Sequence, residues 1–324
     1  MRARIMIGRR TLLAGATLAL AGRAEAQAWP SRPIKLIAPF APGGGSDFTS
    51  RLIAEKLTAR LGQTMLVENK PGAGGNLGAE AAIKSPPDGY TYLTISGSYA
   101  INSLLHKPSF DSLGDIVAIG QFTEEPSVLC VGAASPMKTL GDLVALARRE
   151  PGKLSYGSSG AGGLVHLATE FFLDAAGIKA THVPYRGTAP ALADLLAGNV
   201  DMLSGGTTTM LPYIKSGKLR GLAISTTTRL AAAPDIPSYT EQGYPTVNFG
   251  LWHGMIGPKG IPAEIVSRLN GELDAVLKSP EVSGRLADDG VVPVGGSSEA
   301  FMATIRAEVD RWQAFIKRTG IKLE

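Results

Sequence analysis

Cysteine is nearly missing from this 324-residue chain, which holds Cys130 alone. An intramolecular disulfide is excluded, and Cys130 lies far from any processing site at which a lipid could be attached. Within PSVLCVGA it reads as a small buried hydrophobe. Histidine is also scarce: His106, His166, His182 and His253 are the full set. None falls at H-E-x-x-H spacing, so no metal-enzyme ligand set is visible, and His166 with Glu170 reads as a structural i,i+4 pair on a helix. No G-x-x-x-x-G-K-[ST] string occurs, and in GAGGNLG (72–78) the final glycine comes one place late for G-x-G-x-x-G. Both points argue against a nucleotide site. The nucleophile elbow G-x-S-x-G is missing too, because Gly160 directly follows Ser159 in GSSGAGG.

Long apolar runs are lacking as well. The longest, TLLAGATLALAG (11–22), is short and alanine-rich for a membrane span of roughly 20 residues. Arginines precede it and Ala24-Glu25-Ala26 follows, the pattern of a secretory signal over residues 1–26, cleaved near Ala26. The mature chain is expected in the periplasm. Arg9 and Arg10 admit twin-arginine export beside the general route. An excess of one charge sign disappears with this segment. Five of the 32 basic residues and one of the 28 acidic ones lie in it, leaving 27 of each. The basicity of the precursor therefore gives no support to a nucleic-acid or anionic-membrane partner.

What the chain does contain is alternation. Strand-like runs at 34–40, 64–69, 91–96, 127–133, 154–159, 181–186, 200–205 and 219–225 are separated by helical patterns such as DFTSRLIAEKLTARL and GLVHLATEFFLDAAG. In the first helix Phe48, Leu52, Ile53, Leu57 and Leu61 form a stripe near the 3.6-residue period. Such alternation implies an α/β fold with largely parallel sheets covered by helices. Roughly 300 residues exceed what one core takes, so two lobes are expected. After 226 a Thr/Pro/Gly-rich stretch breaks the rhythm as a connection between lobes would, and amphipathic helices opened by Pro262 and by Ser297-Ser298-Glu299 close the chain.

Four segments share one design, a strand followed by a Gly/Ser/Thr/Asn loop and then a helix: PFAPGGGSD (39–47), NKPGAGGNLGAE (69–80), YGSSGAGGLVHL (156–167) and YRGTAPAL (185–192). Glycine lets backbone approach a ligand, and helix N-termini offer N–H groups and partial positive charge. A small anion, above all a carboxylate, suits such loops at the carboxyl ends of strands. Structural uses compete with this: Asp47 suits a helix cap, Arg186 a surface ion pair, and Phe40, Tyr99, Tyr185 and Trp252 the core.

These segments, with WPSRPIKLIAPFAPGGGSD at the mature start, VENKPGAGGNLGAEAAIKSPPDGYTYL and HVPYRGTAPALADLLAGNVDML, resemble the Bug family. Its members are the extracytoplasmic solute receptors of tripartite tricarboxylate transporters. The resemblance covers essentially the whole mature chain. It implies a two-lobed, Venus-flytrap-like periplasmic-binding-protein fold, type II-like; the strand and helix pattern places lobe one at 27–126 and 239–324 and lobe two at 127–238. The resemblance also implies a small organic acid held in the cleft: a di- or tricarboxylate, an acidic amino acid or an aromatic acid. Carried over, Phe40, Gly44, Ser46, Asp47, Gly74, Asn76, Gly78 and Ser98 line one wall. Ser158, Ser159, Gly163, His166, Arg186, Gly187, Thr188 and Asp201 line the other. YRG has arginine where similar proteins often have lysine. The expected partners are this acid and the subunits of a membrane transporter, the receptor itself being a monomer without cofactor, metal or catalytic residues. Two rival readings are a sensor that feeds a membrane kinase and, least favoured, an exported hydrolase using Ser46 or Ser159 with a histidine.

Overall fold

The computed structural model describes residues 29–105 and 108–320, and the expected signal peptide and its cleavage site lie outside them. Among the described residues no helix is long and apolar enough to cross a membrane. The first part of the chain builds a parallel set of strands: β1 (Ile34–Ala38) lies between β2 (Met65–Asn69) and β3 (Thr91–Ser96). Helices α1 (Gly45–Leu61), α2 (Asn76–Ile83) and α3 (Gly97–Leu105) each begin at the end of one of these strands. The 17-residue strand β4 (Ile116–Gly132) follows. Next come α4 (Leu140–Arg149), β5 (Ser155–Ser158), α5 (Leu164–Ala176), β6 (Thr181–Pro184), α6 (Thr188–Ala197), β7 (Met202–Gly206), α7 (Thr207–Lys215) and β8 (Leu219–Ile224). The chain ends with β9 (Gly250–Pro258), α8 (Ala263–Leu277), α9 (Pro280–Ala287), β10 (Val292–Gly295) and α10 (Ser298–Thr319).

The fold is α/β as expected, but its sheet is mixed. β4 runs antiparallel to β7, β8, β9 and β10, and β9 runs antiparallel to β3. Parallel pairing is confined to the ends of the order β2-β1-β3-β9-β4-β7-β5-β6. The alternation of strands and helices therefore describes the two ends of this order, while the middle is made by two long strands whose chain directions oppose. The first half of β4 and all of β9 and β10 were not evident as strands. Gly120 and the acids Glu124 and Glu125 interrupt the first, Gly254 and Gly257 the second, and Pro293 lies within the third.

Partner exchange along β4 divides the structure. Glu124, Glu125 and Pro126 pair with Trp252, Leu251 and Gly250 of β9, whereas Ser127 and Val128 pair with Gly206 and Gly205 of β7. Pro126 has no N–H to give to a ladder, so a change of partner beside it costs no donor. Ser225 fastens the crossing. Its hydroxyl accepts from Ser127 N–H at 2.8 Å and donates to the Phe249 carbonyl at 2.7 Å, while its N–H donates to Ser127 O at 2.9 Å.

Apolar side chains gather in separate groups to either side of this crossing. Leu36, Ile53, Leu57, Tyr92 and Phe122 pack beneath the β1–β3 set, and Leu129, Tyr156, Phe172, Met202 and Phe249 pack around the β5–β7 set. Cys130 is fully buried with Val128, Leu203 and Ile224, the hydrophobic role its sequence context suggests. Helix α10 joins two groups. Phe301 and Ile305 pack with Ile37, Leu93 and Trp252, and Trp312 and Phe315 pack with Leu129 and Phe172.

Phe301 also points the edge of its ring at the backbone of β9, and a Cβ at Gly254 would overlap it. Phe301 is almost fully buried and has no room to retreat. The Gly254→Ala protein is expected to be less stable by about 1–3 kcal/mol, the usual cost of overpacking a filled core. A lower urea midpoint with unchanged slope checks this.

Candidate functional site

Four helices start at the space between the two halves, and their beginnings share a feature. The residue before α1 is Gly44, before α5 Gly163, before α6 Gly187 and before α7 Gly206, and none of the four helices is capped by the side chain at that position. Three helices elsewhere carry a side-chain cap, whereas α2, preceded by Gly75, and α8, preceded by Pro262, also lack one. Thr139 and Asp142 form a reciprocal capping box on α4, Ser279 caps α9 and Ser297 caps α10. A helix start without a side-chain cap keeps N–H donors and partial positive charge available to an external acceptor.

The central cavity lies among these four starts. It is lined by Phe40, Gly44, Gly45 and Ser46 around the start of α1, by Ser96 and Ser98 after β3, and by Glu125 of β4. Ser159, Leu164, Val165, Thr188, Gly206, Thr209, Leu251 and His253 complete the wall, with no lysine or arginine among the lining residues. The cavity is small, about 50 Å3 as room for the centre of a water molecule. That accommodates a few waters at roughly 10–15 Å3 each, so a larger solute requires the halves to separate. Two of the hydrogen bonds that now cross the gap join its facing loops. Leu164 N–H at the start of α5 donates to Ser98 Oγ at 2.8 Å, and Ala41 N–H donates to the Arg186 carbonyl at 3.0 Å.

Of the expected residues, Phe40, Gly44, Ser46, Ser98, Ser159 and Thr188 are brought together here. Gly74 and Asn76 line an adjoining, mainly apolar cavity with Phe40 and Tyr99, and Arg186 lies at an outer mouth with Gly74 and Ser159. The Arg186 side chain is exposed, and its carbonyl is what crosses the gap. Ser46 is buried, and its Oγ has no hydrogen-bond partner.

Six others stand behind the wall. Asp47 does not occupy the capping position, which Gly44 holds. Its carboxylate instead accepts from Gly43 N–H at 3.0 Å, Arg51 Nε at 3.1 Å and Asn69 Nδ2 at 2.9 Å, fixing the glycine loop. Ser158 is fully buried, its Oγ receiving Gly160 N–H at 3.1 Å and lying 2.6 Å from His182 Nε2. His166 accepts from Gly162 N–H through Nδ1 and stacks on His182 with ring centres 3.9 Å apart. Gly78 and Gly187 allow close approach, since a Cβ would stand 3.0 Å from Pro39 Cα and from Ala41 N respectively. Gly163 is needed in the same way, 2.8 Å from Ser159 Oγ. Asp201 is elsewhere. It ties β5 to β7 by accepting from Ser155 N–H and Oγ, and it borders a separate surface groove with Met137 and Leu196.

The i,i+4 pair His166 and Glu170 is structural in its contacts, Glu170 accepting from the Tyr156 hydroxyl. Burial, with His182 adding to it, pushes His166 down to about 3, and burial alone pushes His182 down to about 4. Both rings are neutral near pH 7. The Ser158–His182 contact is the one serine–histidine hydrogen bond among the described residues, and it does not involve Ser46 or Ser159, the serines considered for a hydrolase.

Sequence reading missed Glu125, His253, Ser96 and Thr209. Glu125 and His253 are both almost fully buried, on the two long strands that cross. A signal was present in FTEEPSVL, where two acids interrupt a strand-like run, but it reads as a boundary until the strand is known to continue through it.

Two α/β halves joined by crossing strands, with helix N-termini facing a shared cleft, define a two-lobed periplasmic solute-binding protein. Within that class the chain belongs to the tripartite tricarboxylate transporter family receptors, whose family model matches residues 49–321. It is 34% identical over 312 residues to protein BugT of Bordetella pertussis, covering 95% of this chain and 96% of that protein. Among solved structures it is similar to R. palustris Rpa4515 with adipate, at 33% identity and TM-score 0.87, covering 91% of this chain and 99% of that one. It is also similar to MatC (Rpa3494) of Rhodopseudomonas palustris with bound malate, at 28% identity and TM-score 0.84, covering 88% and 99%. The resemblance to Bug receptors noted from the loops is thereby met.

The role given to Asp47 has a pH signature. Burial works to raise its carboxyl, but the hydrogen bonds from Arg51, Gly43 and Asn69 outweigh burial and hold it below the ordinary value. A carboxyl depressed in the folded state contributes stability that is present above its unfolded value and lost as pH falls through the folded one. Asp47→Ala is expected to lower stability at neutral pH by about 1–3 kcal/mol. The gap to the parent protein should close in acid below about pH 4, as urea unfolding over a pH series would read.

Proposed function

We propose that this receptor captures a small organic carboxylate in the cleft and presents it to the membrane subunits of a tripartite transporter. The observation that carries the reading is the convergence of four glycine-preceded, side-chain-uncapped helix starts on one cavity whose lining contains no lysine or arginine. Such a wall holds an anion through backbone N–H groups, hydroxyls and bridging water. The solutes named for Rpa4515 and MatC, adipate and malate, are both dicarboxylates and support the same class.

In this reading Ser46, with the free N–H groups beginning α1, donates from lobe one, and Ser159 and Thr188 donate from lobe two. Lobe one comprises 27–126 and the chain from 239 onward, and lobe two comprises 127–238. The pivot lies at Pro126–Ser127 and at the return of the chain into β9. Solute bridging the lobes stabilises the closed form, and that form is what a transporter distinguishes from the open one. Residues 1–26 direct the chain to the periplasm and are removed near Ala26. Asp201 has no place in the site on this reading, and Asp47, Ser158 and His166 support the loops that do.

The test is the thermal midpoint of refolded, ligand-stripped mature protein against a panel of di-, tri- and aromatic carboxylates. A solute at 100 times its dissociation constant adds roughly 2.7 kcal/mol of stability and raises the midpoint visibly. Calorimetric titration of the best solute should then show Ser46→Ala and Thr188→Ala binding more weakly by about 1–3 kcal/mol each. Unchanged midpoints across the panel with folded protein would overturn the carboxylate reading.

A further inference from the structure

Glu125 is out of character with the rest of the cavity. A carboxylate solute drawn in by helix N-termini meets an acid in the wall, with no cation beside it. The carboxyl group is almost fully buried, on β4 just before the strand changes partners. Its two oxygens are treated differently. Oε2 accepts from Thr208 N–H at 3.1 Å, Thr208 Oγ1 at 3.0 Å and Thr207 Oγ1 at 3.3 Å, all at the start of α7. Oε1 receives no donor among the described residues. It lies 3.1 Å from where a Cβ of Gly45 would stand, and a Cβ on Gly206 would overlap the carboxyl itself. The absence of side chains at 45 and 206, both in the cavity wall, is what admits this acid. Two further buried polar atoms of the same wall, Ser46 Oγ and His253 Nδ1, have no partner.

We propose that Glu125 is a specificity residue that carries a proton on Oε1 and donates it in a hydrogen bond to a carboxylate oxygen of the solute, so that capture takes up a proton. The proposal rests on the carboxylate reading of the cleft and adds to it what the deepest contact is. With three donors already on Oε2, the proton of the neutral acid belongs on Oε1, the oxygen left for the cavity. An ionised Glu125 would repel the carboxylate that the helix starts attract, whereas a neutral one supplies the wall with another donor.

The groups bearing on Glu125 leave it free to do this. β9 contributes His253, which burial pushes down to about 4 and keeps uncharged. α1 contributes Gly45 and Ser46, Asp47 being turned to Gly43 and Arg51, and α7 contributes the two threonines. Asp289, after α9, acts as a like charge. Burial, opposed by the threonine hydrogen bonds and aided by Asp289, pushes Glu125 up to about 7. The acid therefore stands near its half-way point in neutral medium, and an incoming negative charge completes its protonation.

The experiment is isothermal titration of the mature receptor with adipate, malate and the other panel acids at pH 6 and pH 8, in buffers of different ionisation heat. The parent protein should bind roughly tenfold more weakly at pH 8, because a group titrating near 7 must first be protonated there, and its heat at pH 8 should depend on the buffer by about one proton. Glu125→Gln, neutral at every pH and still a donor, should lose both the slope and the proton uptake, binding at pH 8 much as the parent does at pH 6. Thr208→Val removes a donor to Oε2 and should move the midpoint of the slope to higher pH. A parent protein that binds an acid with equal affinity and no proton uptake at both values overturns the role of Glu125 and leaves the carboxylate reading standing. So does a Glu125→Gln protein that keeps the parent's slope. Folded parent protein that binds none of the acids at either pH overturns both. The parent measurements need no variant to fold.

Discussion

The long strand β4 belongs to both lobes, and this sharing sets the terms for everything around the cleft. A strand that pairs with β9 and β10 up to Pro126 and with β7 and β8 from Ser127 onward cannot be covered on both sides at its crossing, because the two sets of helices start on opposite halves. The uncovered place is the cavity. Residues at the crossing are buried by neighbours in the chain yet face an opening, which explains how an acid such as Glu125 comes to be so little exposed while lining a site. Ser225, bonded to Ser127 and to Phe249, keeps the two long strands together at the same level.

The four helix starts that meet at the cavity differ from the three helices that carry a side-chain cap. At α4, α9 and α10 a Thr or Ser side chain satisfies the first N–H groups, and these helices only need to be stable. At α1, α5, α6 and α7 glycine stands in the same position and leaves those donors open. Glycine at the cap position costs only about a few tenths of a kcal/mol against Ser or Thr, so opening these four helix starts sacrifices little stability. In the present arrangement Ser98 of the opposite wall and the buried Glu125 each take up a donor that the local sequence does not satisfy.

Most helices and the short parallel strands were legible in the sequence, since most keep a regular apolar pattern and are set off by glycine- or proline-containing loops. The stripe of Ile53, Leu57 and Leu61 in α1 is buried as the helical period requires. The long strands were not legible as such, because GLWHGMIGP and IVAIGQFTEEPSVLCVG break the apolar pattern with glycine, histidine and acids at the points where the structure puts them to other use. The site divides in the same way. Loop residues such as Ser46, Ser159 and Thr188 could be found because strand, glycine loop and helix start repeat. Glu125 and His253 come from positions on crossing strands, which no local motif announces. Asp201, named through the family resemblance, lies inside the strand-like run 200–205, and its carboxylate is directed to Ser155 of β5 and not to the cavity.

Helix α10 lies across both hydrophobic groups, Phe301 and Ile305 in one and Trp312 and Phe315 in the other. Rotation that widens the cleft has to disturb one of these two contacts, so part of the free-energy difference between open and closed forms resides on a helix whose buried aromatics never meet the solute. A receptor's apparent affinity is its intrinsic affinity scaled by the fraction of molecules already in the binding-competent form. On the open–closed reading proposed for the cleft, the packing of Trp312 and Phe315 acts as a spring constant for the hinge and contributes to how tightly the receptor holds a solute, whichever one the cleft selects.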